Sequence, residues 1–383
     1  MSKIIQNLKD FFLKREPLPQ GFHNFHTPPE DPLQYRLHLR IEPDGTGVLI
    51  VNASTILHLN QSATEYAYEI VQGKSNEDAI HDIGERYAVA REQIEQDFYE
   101  FRDQVMTLIT IPDLDPVSYL GMDRDLLYSS LTAPYRLDCA LTYRVNYPDA
   151  SVAPQERVTH ELSTEEWCVI IRKAFDAGIP HLVFTGGEPN LRDDLAEILD
   201  YCEKLGLVTG LLSEGYKLGN PDFLQSLLDS GLDHLMFVPN PEDESDWNSL
   251  QLILAEDLFT TVHLTLTPGK DLTPFIDRLA EMKVNAVSLS ASDPSLKVEL
   301  KSLQDYVSMK QMELVWDLPV PYSNLNPIAL ELEDDEIRQG AGAAWLYIEP
   351  DGDVLPAQGV NHLMGNLLEQ PWEQIWKNRP IKE

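Results

Sequence analysis

Strand-like and helix-like segments alternate between residues 135 and 323, and this alternation constrains the fold more than any other feature of the chain. The strand pattern "YRLDCALTY" precedes the helix pattern "STEEWCVIIRKAFDAG", and the strand "HLVFTG" precedes the helix "DDLAEILDYCEKLG". The alternation continues to "ELVWDLPVP" and amounts to about six βα units. It predicts an α/β domain with a parallel sheet, in the form of a partial (β/α)6 TIM-type barrel over residues 135–325. A doubly wound open sheet is the competing layout.

The segment before this domain has a different pattern. Residues 35–57 alternate polar and apolar side chains around "PDGTG", which indicates a hairpin. Three helix patterns follow, the first with Asn60 or Ser62 as its N-cap. Residues 35–110 therefore predict a small winged-helix-like domain.

The remaining segments are shorter. Residues 1–34 predict an amphipathic helix and a connection, and residues 111–134 predict a linker because they are rich in Pro, Asp and Ser. Residues 326–383 predict a C-terminal extension made of a second hairpin and a short helix with two tryptophans. Within the βα region, Ser163 and Glu166 predict a capping box at the start of a helix.

Charge restricts the classes of partner. The chain has 63 acidic and 29 basic residues and a net charge of −34, which repels nucleic-acid backbones and anionic lipids. Arg86, Arg91 and Arg102 of the winged-helix-like domain stand among many acids, so a DNA-recognition helix is not expected. No apolar run is long enough for a membrane span, and the N-terminus lacks a signal-peptide cleavage pattern. Together with only three cysteines, these features predict a cytoplasmic protein without nucleic-acid partners.

The turn "TGGEP" lies where a strand pattern ends and contains Gly186, Gly187, Glu188 and Pro189. In parallel βα architectures, ligands bind at the carboxyl ends of the strands. Glycine lets the backbone approach a ligand closely, and a carboxylate accepts charge-assisted hydrogen bonds from an ammonium group. The turn therefore predicts a cradle for the amino end of an amino acid. A tight turn with an exposed glutamate is the alternative interpretation.

These motifs resemble those of a known family. "PYRLDCALTYRVNYPDAS", the helix "ELSTEEW" and "HLVFTGGEPNLRDDL" resemble the core domain of radical S-adenosylmethionine (SAM) enzymes. In that family a Cys-x3-Cys-x2-Cys loop after the first strand ligates a [4Fe–4S] cluster, and Gly-Gly-Glu-Pro holds the amino group of SAM. The resemblance thus implies cofactor-binding roles for Gly186, Gly187, Glu188 and Pro189.

Both flanking regions resemble modules found with that core. Residues 35–110 look like the PqqD-like domain that binds leader peptides of ribosomally made, modified peptides (RiPPs). The segments "LYIEPDGDVLPAQGV" and "LMGNLLEQPWEQIW" look like the SPASM extension, whose members carry cysteines for auxiliary clusters. The resemblance implies a leader or precursor peptide, or a partner modification enzyme, as the binding partner.

The chain departs from the family at the expected cluster ligands. In the loop "TYRVNYPDASV" the ligand positions fall on Val145, Asp149 and Val152, or on Tyr147 and Ala150 if the loop is shortened. Ala357 replaces a cysteine of the tail, and "RQGAGAAWLYI" lacks another. The cysteines that are present, Cys139, Cys168 and Cys202, fall on strand and helix patterns and are predicted to be small buried core residues.

An iron–sulfur cluster needs several thiolates that converge on one site, so we predict no [4Fe–4S] cluster and no other metal site. A charge-assisted hydrogen bond contributes about 1.5–3 kcal/mol, whereas micromolar binding needs about 8 kcal/mol. Binding of SAM is therefore expected to be weak or absent, with weak residual binding left open. No catalytic residue is assigned.

The resulting prediction is a degenerate radical SAM/SPASM-like protein that binds a peptide or a partner without radical catalysis. The alternative is an enzyme of the same superfamily that uses SAM or another amino-bearing ligand without a [4Fe–4S] cluster. Its candidate residues near the strand ends are Asp138, Tyr143, Arg144, Asp149, His160, Glu188, Ser213, Glu214 and His263. No group of them has a recognisable metal-ligand spacing, and such residues are more often solvated or structural.

Overall fold

The structure is a computed structural model, and it describes residues 17–380 except 29, 53–54, 88, 112–130, 147–157, 159, 317, 324 and 327–339. The chain divides into two compact units, Met1–Thr132 with Phe175–Pro180, and Ala133–Ala174 with His181–Glu383. The predicted N-terminal helix, most of the predicted linker and the positions Tyr147, Asp149, Ala150 and Val152 lie outside the described residues. Within the described residues, no helix combines the length and the apolar character that crossing a membrane requires.

The first unit contains a four-stranded antiparallel sheet and three helices. Its elements are β1 (Gly21–His26), β2 (Arg36–Ile41), β3 (Gly47–Val51), β4 (Thr55–Leu59), α1 (Gln61–Val71), α2 (Asn76–Arg86) and α3 (Arg91–Thr110). The strands lie in the order β1-β2-β3-β4, and the turn "PDGTG" joins β2 to β3 as predicted. Apolar side chains of the sheet, α1 and α3 form one core that includes Leu39, Leu49, Leu57, Val71 and Val105.

Local side chains set the ends of α1. The Asn60 side chain accepts a hydrogen bond from the Ala63 backbone N–H at 2.9 Å, so Asn60 and not Ser62 is the N-cap. After the helix the chain turns at Gly73, whose φ of +67° lies in the left-handed region.

The strand β1 was not predicted, because residues 1–34 were assigned to a helix and a connection. All six residues of β1 pair with β2 in antiparallel register. Its sequence, "GFHNFH", has too few apolar residues to show a strand pattern by itself. Aromatic contacts made after folding stabilise it: His23 lies against Tyr68 with ring centroids 5.1 Å apart, and Phe25 lies 5.8 Å from Tyr35.

Acidic partners neutralise arginines of this unit. Arg86 donates to Glu65 at 3.2 Å, and Arg91 donates to Glu95 at 2.8 Å. The charges of both arginines are thus compensated by neighbouring carboxylates of the same unit.

The second unit contains strands and helices in alternation, followed by the C-terminal extension. Its elements are β5 (Arg136–Thr142), α4 (Thr164–Asp176), β6 (His181–Gly186), α5 (Leu195–Leu205), β7 (Val208–Ser213), α6 (Pro221–Asp229), β8 (His234–Phe237), α7 (Glu244–Ile253), β9 (Phe259–Leu266), α8 (Thr273–Met282), β10 (Ala286–Ala291), α9 (Lys297–Met309), β11 (Glu313–Leu314), β12 (Trp345–Ile348), β13 (Asp353–Leu355), β14 (Gly365–Asn366) and α10 (Trp372–Lys377).

These strands form one sheet in the order β11-β10-β9-β8-β7-β6-β5-β12-β13-β14. From β5 to β11 every neighbouring pair is parallel, and β12 is parallel to β5, so the predicted parallel sheet is confirmed. The order of β5 to β11 follows the sequence without a reversal, which argues against the doubly wound layout. Closure of the sheet toward a partial barrel stays a prediction.

The capping box that opens α4 is present. The Ser163 backbone N–H donates to the Glu166 carboxylate at 2.8 Å, and the Glu166 N–H donates to Ser163 Oγ at 3.3 Å. The apolar stripe of α4 is buried against the sheet and includes Trp167, Ile170 and Ile171. This reciprocal cap and the stripe make α4 the helix best specified by its own sequence.

The predicted second hairpin and the helix with two tryptophans are both present. β12 and β13 are antiparallel, and the rings of Trp372 and Trp376 stack with centroids 5.5 Å apart. Lys173 of α4 holds this extension in place. Its ammonium group donates to three backbone oxygens, those of Leu367 at 2.7 Å, Leu368 at 2.9 Å and Gln370 at 3.0 Å. All three donors of the lysine are thus used on one turn of the tail.

The substitution Lys173→Met should lower the free energy of unfolding by about 2 kcal/mol, because it leaves three half-buried carbonyls without their charged donor. Lys204→Met is the matched control, since Lys204 is exposed and pairs only with Asp200 on the surface of its own helix. Urea unfolding followed by circular dichroism measures both changes. Equal effects of the two substitutions would contradict this role of Lys173.

Candidate functional site

The glycine turn lies directly against the backbone that follows β5. Gly187 N–H donates to the Thr142 carbonyl at 2.9 Å, and Glu188 N–H donates to the Arg144 carbonyl at 2.8 Å. A Cβ at Gly186, where φ is +124°, would lie 2.1 Å from the Thr142 oxygen, and a Cβ at Gly187 would lie 2.3 Å from the Arg144 oxygen. Both positions therefore require glycine because another backbone segment occupies the space.

The Glu188 side chain is buried and fully hydrogen-bonded inside the protein. Its carboxylate accepts from Asn190 N–H at 3.0 Å and from Glu214 N–H at 2.9 Å, and Ser213 Oγ lies 2.9 Å from both of its oxygens. The Asn190 side-chain amide also donates to Ser213 Oγ at 2.8 Å. The alternative interpretation of an exposed glutamate is therefore wrong, since Glu188 joins the end of β6 to the end of β7. Pro189 follows as the first residue of a buried 3₁₀ turn, Pro189–Leu191.

Two carboxyl groups at these strand ends titrate near neutral pH. Burial raises the pKa of Glu188 to about 8, although the donors around it act in the opposite direction. Burial, and then the charge of Asp246, raises the pKa of Glu214 to about 7. Burial also raises the pKa of Asp246. Such shifts at the ends of parallel strands are typical of functional sites.

Three buried tyrosines lie beside the glycine turn. Tyr143 follows β5, Tyr347 belongs to β12, and Tyr322 comes from the segment after β11. The rings of Tyr143 and Tyr322 are 5.4 Å apart, and those of Tyr322 and Tyr347 are 6.5 Å apart. Tyr143 donates its hydroxyl to Glu349 at 3.0 Å. Tyr322 N–H donates to the Gly186 carbonyl at 2.7 Å, so this cluster contacts the turn itself.

The structure brings together part of the predicted set of polar residues. Glu188, Ser213 and Glu214 converge, and Tyr143 and Arg144 follow β5 next to them. Three other candidates lie elsewhere. Asp138 forms a buried ion pair with Arg136 within β5, His160 is exposed beside Glu166, and His263 lies within β9 between Ser288 and Ser290. Asp149 lies outside the described residues.

Sequence reasoning missed Asn190, Tyr322 and Asp246. Asn190 lies two residues after Glu188, so its proximity could have been expected from the turn. Tyr322 and Asp246 arrive from distant parts of the chain, and no local pattern marks either of them. Tyr322 and Asp246 reach this edge of the sheet through the tertiary fold, which a local sequence pattern does not show.

The three cysteines lie on three different elements, β5, α4 and α5. Cys139 and Cys202 are buried as predicted, and burial raises the pKa of both thiols well above the ordinary range. Cys168 is only half-buried, so the prediction of a core residue is wrong there, because it lies beside the buried stripe of α4 and not within it. Trp167, Ile171 and Leu199 are among the buried side chains of the same layer.

The expected ligand positions that the structure describes are occupied by apolar packing. Val145 packs against the tyrosine cluster, and Ala357 is buried in the C-terminal extension. Among the described residues, one group of three acidic or metal-binding side chains has its donor atoms within 4.8 Å of one another: Glu349, Asp351 and Asp353 in the turn between β12 and β13. Two of these carboxylates already accept hydrogen bonds from side chains outside the hairpin, Asp353 from Asn366 at 2.9 Å and Glu349 from Tyr143 at 3.0 Å.

Comparison with known proteins gives relatives of one kind. No family model matches the chain. It is 45% identical over 75 residues to a PqqA peptide cyclase of Rhizobium meliloti (strain 1021), which is 20% of either protein, and 26% identical over 254 residues to a PqqA peptide cyclase of Streptomyces rochei, which is 56% of this chain and 67% of the relative. The stronger identity thus covers only a fifth of the relative's length.

Solved structures extend the likeness to most of the chain. SuiB of Streptococcus suis bound to precursor peptide SuiA matches 92% of this chain and 88% of SuiB, with a TM-score of 0.56 and 15% identity. SuiB bound to S-adenosylmethionine matches with a TM-score of 0.57 and 17% identity. This chain shares the fold of SuiB. At this level of identity the match concerns the fold and not the activity.

The pKa of Glu214 predicts a dependence of stability on pH. Its pKa is about 7 in the folded protein against an ordinary value of 4.5, so the folded state holds the proton more tightly. The resulting stabilisation is full below the ordinary pKa and is lost as the pH rises through 7. Glu214→Gln should remove this loss, which amounts to about 2 kcal/mol between pH 5 and pH 8 after allowance for partial exposure.

Urea unfolding of the wild type and Glu214→Gln at both pH values measures this difference. Glu256→Gln is the control because Glu256 is exposed on the surface. A wild type and a Glu214→Gln variant with parallel pH profiles would contradict the assignment.

Proposed function

We propose that this chain is a degenerate member of the radical SAM peptide-modifying enzymes, one that binds a precursor peptide and carries out no radical chemistry. The likeness to PqqA peptide cyclases and the fold shared with SuiB support the family link. The observation that carries the rest is the placement of the cysteines. The chain has three, on β5, α4 and α5, and none of them lies in the segment after β5 where the family carries its cluster ligands.

A [4Fe–4S] cluster does not fit this set of donors. The segment between Thr142 and His160 contains no cysteine, so no thiolate is available from the loop after β5. Cys139 and Cys202 have thiol pKa values raised by burial, which disfavours the thiolate form that binds iron.

The glycine turn retains the residues that would hold an amino group, but its polar atoms already form hydrogen bonds within the protein. The N–H groups of Gly187 and Glu188 donate to the β5 connection, and the Glu188 carboxylate already has three donors. Gly186, Gly187, Glu188 and Pro189 are therefore proposed as the remnant of a SAM cradle. Binding of SAM without iron is expected to be weak, because no remaining contact replaces the lost chelation.

The first unit is proposed to bind the peptide, as a PqqD-like domain would. β1 and β4 are the outer strands of its sheet. β1 is exposed at half of its positions, whereas no residue of β4 is exposed, and Leu57 and Leu59 belong to the apolar core. A peptide that adds a strand beside β4 would extend the sheet through main-chain hydrogen bonds next to its apolar core. Precursor peptide SuiA, bound to SuiB, supports a partner of this class.

The absence of a protein-held cluster is tested by anaerobic reconstitution with iron and sulfide. We expect the wild type and the triple variant Cys139→Ala, Cys168→Ala, Cys202→Ala to retain the same low iron content without a cluster absorption band. A stoichiometric cluster in the wild type that disappears in the triple variant would refute the proposal. A cluster present in both would instead identify ligands other than cysteine, and would refute it as well.

Peptide binding is tested with the PqqA peptide by calorimetry and amide hydrogen exchange. We expect micromolar affinity and slower exchange at the amides of Thr55–Leu59, with no change at Gly21–His26, because only the β4 edge receives the new strand. A scrambled PqqA peptide is the control. Protection confined to β1 or to the ten-stranded sheet, or equal binding of the scrambled peptide, would count against this assignment.

A further inference from the structure

The segment Leu318–Ser323, "LPVPYS", lies across the strand ends that carry the glycine turn, and it is called the strap below. Within the strap, the Tyr322 N–H donates a hydrogen bond to the Gly186 carbonyl at 2.7 Å. The strap thus provides the hydrogen-bond donor for the Gly186 carbonyl. The N–H groups of Gly187 and Glu188 bond instead to the backbone after β5. The strap therefore takes the acceptor that would otherwise face a ligand's ammonium group.

The strap also covers an apolar surface beside that acceptor. Leu318 packs in one cluster with Val183 of β6, Leu212 of β7 and Met236 of β8. The register of the three strands places these side chains on the same face of the sheet. Thr185 lies on this face too, and its buried hydroxyl has no hydrogen-bond partner among the residues that the structure describes. The strap thus contacts both the Gly186 carbonyl and an apolar cluster formed by three neighbouring strands.

Anchors outside the strand ends hold the strap in place. The Gln358 side chain accepts from Val320 N–H at 3.1 Å and donates to the Val320 carbonyl at 2.6 Å. Asn326 donates to the same carbonyl at 2.7 Å. Pro319 and Pro321 flank Val320, restrict the backbone and remove two N–H donors, so the strap depends on these side-chain anchors.

We propose that the strap is a built-in closure of the remnant cofactor site, and that a ligand with an ammonium group and an apolar or aromatic part binds only when the strap is released. This inference rests on the proposed function, because it takes the glycine turn as the remnant of a SAM cradle. It differs from that proposal in stating why the wild-type chain does not bind such a ligand well. The strap and the ligand compete for the Gly186 carbonyl and for the surface formed by Val183, Leu212 and Met236.

The competition sets a quantitative relation between opening and binding. If the ligand binds only the open form, its apparent dissociation constant equals the intrinsic value divided by the open fraction. A substitution that opens the strap tenfold more often must therefore tighten binding by the same factor. The Tyr322 amide reports the open fraction, because its hydrogen bond to Gly186 must break before the amide exchanges.

The test compares the wild type with Gln358→Ala, which removes two anchoring hydrogen bonds outside the buried core. His362→Ala is the control, because His362 is exposed in the same connection between β13 and β14. We expect Gln358→Ala to speed exchange of the Tyr322 amide about 10-fold or more and to tighten binding of SAM by the same factor in calorimetry. His362→Ala should change neither quantity. Leu318→Ala gives a second route to opening, from the apolar side.

The proposal is overturned if the Tyr322 amide exchanges faster in the variants while SAM affinity stays unchanged or absent. It is also overturned if Gln358→Ala and Leu318→Ala both leave the exchange rate unaltered, or if SAM binds the wild type while the Tyr322 amide stays protected. None of these outcomes affects the peptide test, because protection of Thr55–Leu59 is measured in the first unit. Failure of the strap and failure of peptide binding are thus separate results.

Discussion

The buried carboxylate of Glu188 is the constraint around which the strand ends of the second unit are arranged. It receives donors from the turn after β6 and from the end of β7, so the two strand ends cannot move apart without leaving a buried acidic group unpaired. The two preceding glycines bring the backbone of the turn against the backbone after β5. The Gly-Gly-Glu-Pro motif, which holds a ligand in the family it resembles, therefore also connects the ends of β5, β6 and β7 in this chain. Under the function proposed above, this structural role is the reason that the motif is retained.

The proposed loss of iron ligands is compatible with this fold, because the described residues at two of the expected ligand positions contribute to its packing. Val145 packs onto tyrosine rings, and Ala357 is buried in the tail. The sheet, the helices and the tail are held by apolar packing and by the Lys173 ammonium group, and none of these contacts requires a metal. The scaffold can therefore keep its shape while its chemistry changes, which is why the shared fold with SuiB does not establish a shared reaction.

Much of the fold could be read from the sequence, since each βα unit carries local signals. The Ser163 and Glu166 capping box, the hairpin around "PDGTG" and the alternation of strands and helices all encode their structure over a few residues. β1 was missed because its pairing energy comes from β2 and from aromatic contacts with Tyr35 and Tyr68, not from its own pattern. Tyr322 was missed for the same reason, since its approach to Gly186 depends on how distant segments meet. Contacts between residues that are far apart in the sequence produce no periodic pattern in the sequence itself.

The uneven burial of the thiols has a practical consequence. Cys168 lies partly in solvent on α4, whereas Cys139 and Cys202 are buried. Burial raises the pKa of all three thiols, so accessibility is what distinguishes Cys168 from the other two. A maleimide dye added to the unmodified chain should therefore attach at one position on the outside of the sheet–helix layer. Cys168 could therefore carry a fluorescent label that reports on the second unit, with no substitution of the other two cysteines.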